Sequence, residues 1–90
     1  MKIFKDKNKL QKEIFNKKSI SFVPTMGGLH KGHIYLIKKS KKIANMNLVS
    51  IYVNPKQFNS KNDFLNYPIN LKKDLNILKK LNVNYVYLPT

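Results

Sequence analysis

Three short apolar runs, residues 20–23, 48–53 and 85–88, are separated by longer segments whose apolar residues recur at helical spacing. Runs this short, rich in branched and aromatic side chains, suit strands buried within a parallel sheet. Strands that alternate with helices in this way predict a βαβαβ unit, half of a doubly wound α/β sheet. Ile3 and Phe4 add a short strand or a packing anchor ahead of it. Asp6 is placed to cap a first helix running to about Lys17, with Leu10, Ile14 and Phe15 as its apolar stripe. The second helix is expected over residues 34–44, with Leu36, Ile37, Ser40, Ile43 and Ala44 on one side and Lys38, Lys39 and Lys42 on the other. Asn70 is the expected cap of a third helix, whose stripe is Leu71, Leu75, Leu78 and Leu81. Ninety residues are few for an open parallel sheet covered on both faces, which points to a fragment of a larger protein.

The junction between the first of these strands and the second helix concentrates the unusual residues. It reads Pro24-Thr25-Met26-Gly27-Gly28-Leu29-His30-Lys31-Gly32-His33, and it holds every glycine and both histidines of the chain. A strand, a glycine-rich turn and a helix in succession can aim backbone N–H groups and a helix N-terminus at a phosphate. Imidazoles three residues apart on one helical face can donate to phosphate oxygens where charge builds up. The spacing is neither a dinucleotide fingerprint nor a P-loop. Asn54-Pro55-Lys56-Gln57-Phe58 follows the next strand, so its polar residues would open on the same carboxyl edge of the sheet, where ligands of such folds bind. Gln57 is there a candidate for hydrogen bonding to substrate. Lys31 and Lys56 are near enough to add positive potential.

Other chemistry fares less well. Two histidines without cysteine make a poor zinc site. Ser21 and Ser50 have no predicted histidine partner, and Asp63 and Asp74 are too isolated to form a carboxylate pair. The formal charge of +14 invites a nucleic-acid reading. Every basic residue is a lysine, however, spread along all three helical segments. Arginine, the usual bidentate reader of bases, is absent. Solvated lysine-rich faces of a composition-biased chain are therefore expected in place of a nucleic-acid surface, and a basic nucleic-acid-binding module stays as an alternative. No apolar run reaches membrane-spanning length and no signal-peptide core is present, so no membrane partner and a cytoplasmic location are expected.

Residues 23–33, then 49–58, then Asp63-Phe64 and Tyr67-Pro68 together resemble pantothenate synthetases, the pantoate–β-alanine ligases, in order and spacing. The resemblance runs from about Ile20 to Pro89. It implies a Rossmann-like three-layer parallel sheet of the nucleotidyltransferase type, with residues 1–90 as the amino-terminal part of the ATP- and pantoate-binding domain. The later part of that domain and a C-terminal domain would lie beyond Thr90. It further implies an ATP- and Mg2+-dependent condensation of pantoate with β-alanine through pantoyl adenylate, in an enzyme that is a homodimer when whole. By the resemblance Met26, Gly27, Gly28, Leu29, His30, Lys31, Gly32 and His33 bind ATP. His33 is the proton-donating catalytic residue, and Gln57 contacts pantoate and β-alanine. Gly28, Lys31 and Ile69 depart from the residues usual in the family, which are alanine or asparagine, an acid, and arginine. Another nucleotidyltransferase of the same fold would lack the Asn-Pro-x-Gln-Phe block.

Overall fold

The computed structural model describes residues 1–53 and 67–89. Seven elements follow one another there: β1 (Lys2–Phe4), α1 (Lys7–Ile14), β2 (Ile20–Thr25), α2 (Lys31–Ile43), β3 (Met46–Ile51), α3 (Tyr67–Lys80) and β4 (Tyr85–Tyr87). The strands form one parallel sheet in the order β1-β4-β3-β2. The expected α/β alternation is present, and residues 2–4 join it as a fourth strand at the far edge, paired with β4.

Because side chains alternate across a strand, the sheet has two distinct apolar faces. Val23, Val49, Ile51, Val86 and Leu88 point to one, where Ile37 of α2 and Leu78 of α3 meet them. Leu48 and Tyr85 point to the other, against Leu10 of α1. Helices thus cover both sides in three layers.

Several boundaries differ from the sequence reading, each for a local reason. β2 runs through Pro24 to Thr25. Proline is tolerated because β2 is an edge strand among the described residues. Ser19 and Thr25 turn their carbonyls to β3, so by alternation Pro24 turns its N–H-less nitrogen outward. β3 begins at Met46, opposite Ile20, inside the stretch expected to be a turn. α3 starts at Tyr67, with Asn70 inside the helix and not its cap. Pro68 falls in the first turn, where a missing N–H costs no intrahelical bond. α1 is capped as expected, Asp6 Oδ1 accepting from Asn8 N at 2.9 Å, but ends at Ile14. Phe15 lies beyond the stripe and is 84% exposed.

The second helix departs most from its expected stripe. Ile37 and Ser40 are buried, while Leu36 and Ile43 are exposed. α2 packs against β2 and β3. None of the described residues covers the flank that carries Leu36 and Ile43. α3 closes with Asn82 at φ 59°, in the left-handed region. Val83 N donates to Leu78 O at 3.2 Å and Asn82 N to Lys79 O at 3.1 Å, the bonding of a Schellman-type end.

Candidate active site

β2 and β3 end side by side, and α2 starts six residues after the end of β2, so three element ends meet at the carboxyl edge of the sheet. Thr25 holds the junction. Its buried hydroxyl donates to Ser50 O at 2.9 Å and accepts from Gly27 N at 3.3 Å. The chain then turns through Gly27 (φ 85°) and Gly28 (φ 65°), conformations that other residues adopt only at a cost. At Gly27 a side chain would also meet Val53, Asp74 and Ile51 at 3.4 to 3.6 Å.

The helix begins at Lys31, three residues earlier than its apolar periodicity suggested, because the histidines themselves start it. His30 is the N-cap: its Nδ1 accepts from Gly32 N at 3.0 Å. His33, three positions on, reciprocates, its Nδ1 accepting from His30 N at 3.2 Å. This is a capping box built from two imidazoles, a task usually given to a hydroxyl and a carboxylate. It brings the ring centroids to 4.1 Å, at 52° to one another. Gly32 is small because a Cβ there would lie 2.9 Å from His30 Cε1.

The capping bonds decide the tautomers. A ring nitrogen that accepts carries no hydrogen, so in the neutral form each proton sits on Nε2. Burial, then the neighbouring His30, push the His33 proton affinity down from its ordinary 6.5, and Asp74 acts the other way. His33 is thus neutral at pH 7, with an Nε2–H donor. His33 also lines a cleft of about 370 Å³ with Pro24, Thr25, Met26, Ser50 and Tyr52. His30 and Lys31 are exposed beside it. A larger hollow of about 590 Å³ lies at the opposite, amino-terminal edge of the strands. Its one carboxylate is engaged, Glu13 accepting from Lys2 at 3.1 Å and from Tyr85 at 3.2 Å.

The glycine turn differs from a phosphate cradle in one respect. Gly28 N and Leu29 N both donate to the carboxylate of Asp74 on α3, each at 2.9 Å. With Gly27 N on Thr25 and Gly32 N on His30, these four amides of the loop are satisfied within the protein. The sequence reading set Asp74 aside as isolated; it is 4% exposed and bonded to the candidate loop. A signal was available, since Asp74 interrupts the apolar stripe of Leu71, Leu75 and Leu78 on its sheet-facing side. Gln57, Lys56 and Asp63, with the rest of the Asn54–Phe58 block, lie outside the described residues. Among the described residues no three histidine, cysteine or acidic side chains gather as metal ligands. No helix there is long and apolar enough to cross a membrane.

A model of the family described as Pantoate-beta-alanine ligase matches residues 2–90. The chain belongs to the pantoate-beta-alanine ligase family. Pantothenate synthetase of Fervidobacterium nodosum is 51% identical over 83 residues, 91% of this chain and 30% of that protein. The enzyme of Endomicrobium trichonymphae is 49% identical over 94 residues, covering 100% of this chain and 33% of its own length. Among solved structures, pantothenate synthetase from Thermus thermophilus superposes over 100% of this chain and 32% of its own, with a TM-score of 0.80 at 30% identity. Pantoate-beta-alanine ligase from Francisella tularensis, complexed with beta-gamma ATP and beta-alanine, gives 0.78 at 42% identity, over 99% of this chain and 35% of its own. This chain spans about a third of the length of the family members it matches. The four-stranded parallel sheet with its helices is the family's nucleotidyltransferase-type fold.

Proposed function

We propose that residues 1–90 form the amino-terminal part of the Rossmann-like domain of an ATP-dependent ligase that joins pantoate to β-alanine. Family membership supports the reaction, and so does the Francisella tularensis relative with its bound ATP analogue and β-alanine. The observation that carries the reading is the pair of imidazoles at the start of α2, both tied back through Nδ1 and therefore presenting Nε2–H beside an open cleft.

In the first step a pantoate carboxylate oxygen attacks the α-phosphorus of ATP. The bond to the bridging oxygen breaks and pyrophosphate leaves with the electron pair. His33 Nε2–H donates to the phosphate oxygens as negative charge grows on them, with His30 beside it. Donors already fixed in place need no reorganisation when the charge develops. In the second step the amine of β-alanine attacks the acyl carbon, the acyl–oxygen bond breaks so that AMP leaves with the electron pair, and the nitrogen releases a proton to leave the amide. Met26, Gly27, Gly28, Leu29, His30, Lys31, Gly32 and His33 wall the nucleotide. Gln57, outside the described residues, holds pantoate and β-alanine.

The described residues do not suit a magnesium cage: Asp74, the carboxylate nearest the loop, already accepts two amides. Mg2+ would come with the nucleotide and would supply positive charge against its phosphates. The same reading makes the whole enzyme a cytoplasmic homodimer acting on small molecules, with no nucleic-acid or membrane partner. The test is the full-length protein carrying these residues, assayed with pantoate, β-alanine and ATP for AMP and pantothenate. Replacing His33 by Ala lowers kcat by about 100- to 1,000-fold, the loss typical of a preorganised transition-state donor. An unchanged rate removes the role given to His33, and no pantothenate from the unmodified enzyme removes the reaction.

A further inference from the structure

We infer that Asp74 is a positioning residue for the histidine pair, setting the loop from behind and directing incoming phosphate to the imidazoles and not to the backbone amides. Its two carboxylate oxygens accept one N–H each, Oδ2 from Gly28 and Oδ1 from Leu29, both at 2.9 Å. The left-handed turns at Gly27 and Gly28 make those N–H groups converge. Successive N–H groups turned to one point form a concavity that attracts an anion. Here the anion comes from within the protein, 45 and 46 residues along the chain.

The link reaches the rings in two steps. Leu29 is fixed by Asp74 on its amide and by the main core cluster on its side chain. The next residue is His30, whose own amide holds the His33 ring and whose ring caps Gly32. Moving the Gly28–Leu29 peptides therefore moves both imidazoles. The filled concavity also has no free donors for phosphate, which leaves the Nε2–H edges and the exposed Lys31 side chain to meet it. The carboxylate acts on His33 through space as well, favouring its protonated form against the opposing pull of burial and of His30. Among the described residues, His30 from the start of α2 and Asp74 from α3 are the titratable groups that bear on the ring.

This inference rests on His33 facing phosphate, and the experiment separates the two. In the full-length protein Asp74→Asn keeps the shape but sets an amide NH2 against one backbone N–H. Asp74→Glu keeps the charge and displaces it. Pantoate-dependent exchange of pyrophosphate into ATP reads the adenylation step alone. Both variants lower its kcat by about 10- to 100-fold, in line with sub-ångström misplacement of a catalytic group. KM for β-alanine is unchanged. The acid limb of kcat/KM arises where a proton on His33 Nδ1 breaks its bond from His30 N, and in Asp74→Asn it also moves to lower pH, because His33 loses the carboxylate that raised its proton affinity; a role confined to holding the loop leaves that limb in place. An Asp74→Asn enzyme within twofold of the unmodified kcat and with an unmoved acid limb overturns the inference while His33→Ala remains impaired. Loss of effect in His33→Ala instead overturns the functional reading. Where neither Asp74 variant folds, amide exchange in the unmodified enzyme decides. Protected Gly28 and Leu29 amides, with and without an ATP analogue, uphold the inference, and rapid exchange of both in the free enzyme refutes it.

Discussion

Gly32→Ala separates the two duties of the histidine pair, capping a helix and meeting a substrate. The new Cβ would stand 2.9 Å from His30 Cε1 and 3.2 Å from Nδ1, against an ordinary contact of 3.4 Å or more. The exposed ring must therefore retreat by about 0.5 Å, taking its Nδ1 from Gly32 N. Loss of the cap costs about 1 kcal/mol. Alanine in place of glycine within a helix restores about 0.8–1 kcal/mol. Stability by urea unfolding should then stay within about 0.5 kcal/mol of the unmodified protein, as those opposing magnitudes require. Catalysis has no such compensation. A half-ångström retreat, on a scale where 1 Å costs about a hundredfold, lowers kcat about tenfold. Steady-state kinetics of pantothenate formation by the full-length protein reads the second quantity. Unaltered kcat in the alanine variant would refute the claim that His30 must sit over Gly32. A stability loss of about 2 kcal/mol or more would refute the offset between cap and propensity.

Acid should weaken the same corner of the fold. Burial and His30 hold the His33 proton affinity below 6.5 in the folded state, so below pH 6.5 the unfolded chain takes up a proton that the folded one does not. The stabilisation is complete above pH 6.5 and falls as the pH drops toward the folded value; a urea midpoint that rises between pH 7 and pH 5 contradicts it. Glu13, held down chiefly by its hydrogen bond from Lys2, follows the same direction in a lower window, beneath its ordinary 4.5. At the end of α3, Asn82→Val places a branched side chain at φ 59° and should cost about 1–2 kcal/mol. An unchanged thermal midpoint would show that the Schellman-type turn yields without strain.

Much of this architecture was readable from local pattern. Branched and aromatic runs marked β2, β3 and β4, and the leucine spacing marked α3. The clustering of glycine and histidine marked the loop, because a turn with φ above zero and a helix start both use residue types that announce themselves. The Pro24–His33 and Asn54–Phe58 blocks pointed to the family by their joint order, and the match over residues 2–90 agrees. Phe15, Leu36 and Ile43 belong to the expected apolar sides of their helices and are nonetheless exposed, for a complementary reason. Periodicity says which side of a helix is apolar, and says nothing of whether a neighbour lies against that side at that height. α1 stops one residue short of Phe15, and none of the described residues covers Leu36 and Ile43 of α2.

The chain's own order of residues was enough to determine the alternation of strand and helix, the placing of two imidazoles at a helix start, and membership of the ligase family. The first two depend on neighbours within a few residues, and the third on the order of blocks along the chain. Tertiary structure alone decided that residues 2–4 pair with β4, that Pro24 sits harmlessly on an outer edge, and that Asp74 closes over Gly28 and Leu29. A hydrogen bond between residues some 45 positions apart leaves no local signature, because it forms only when the packing of α3 on the sheet carries the carboxylate to the loop.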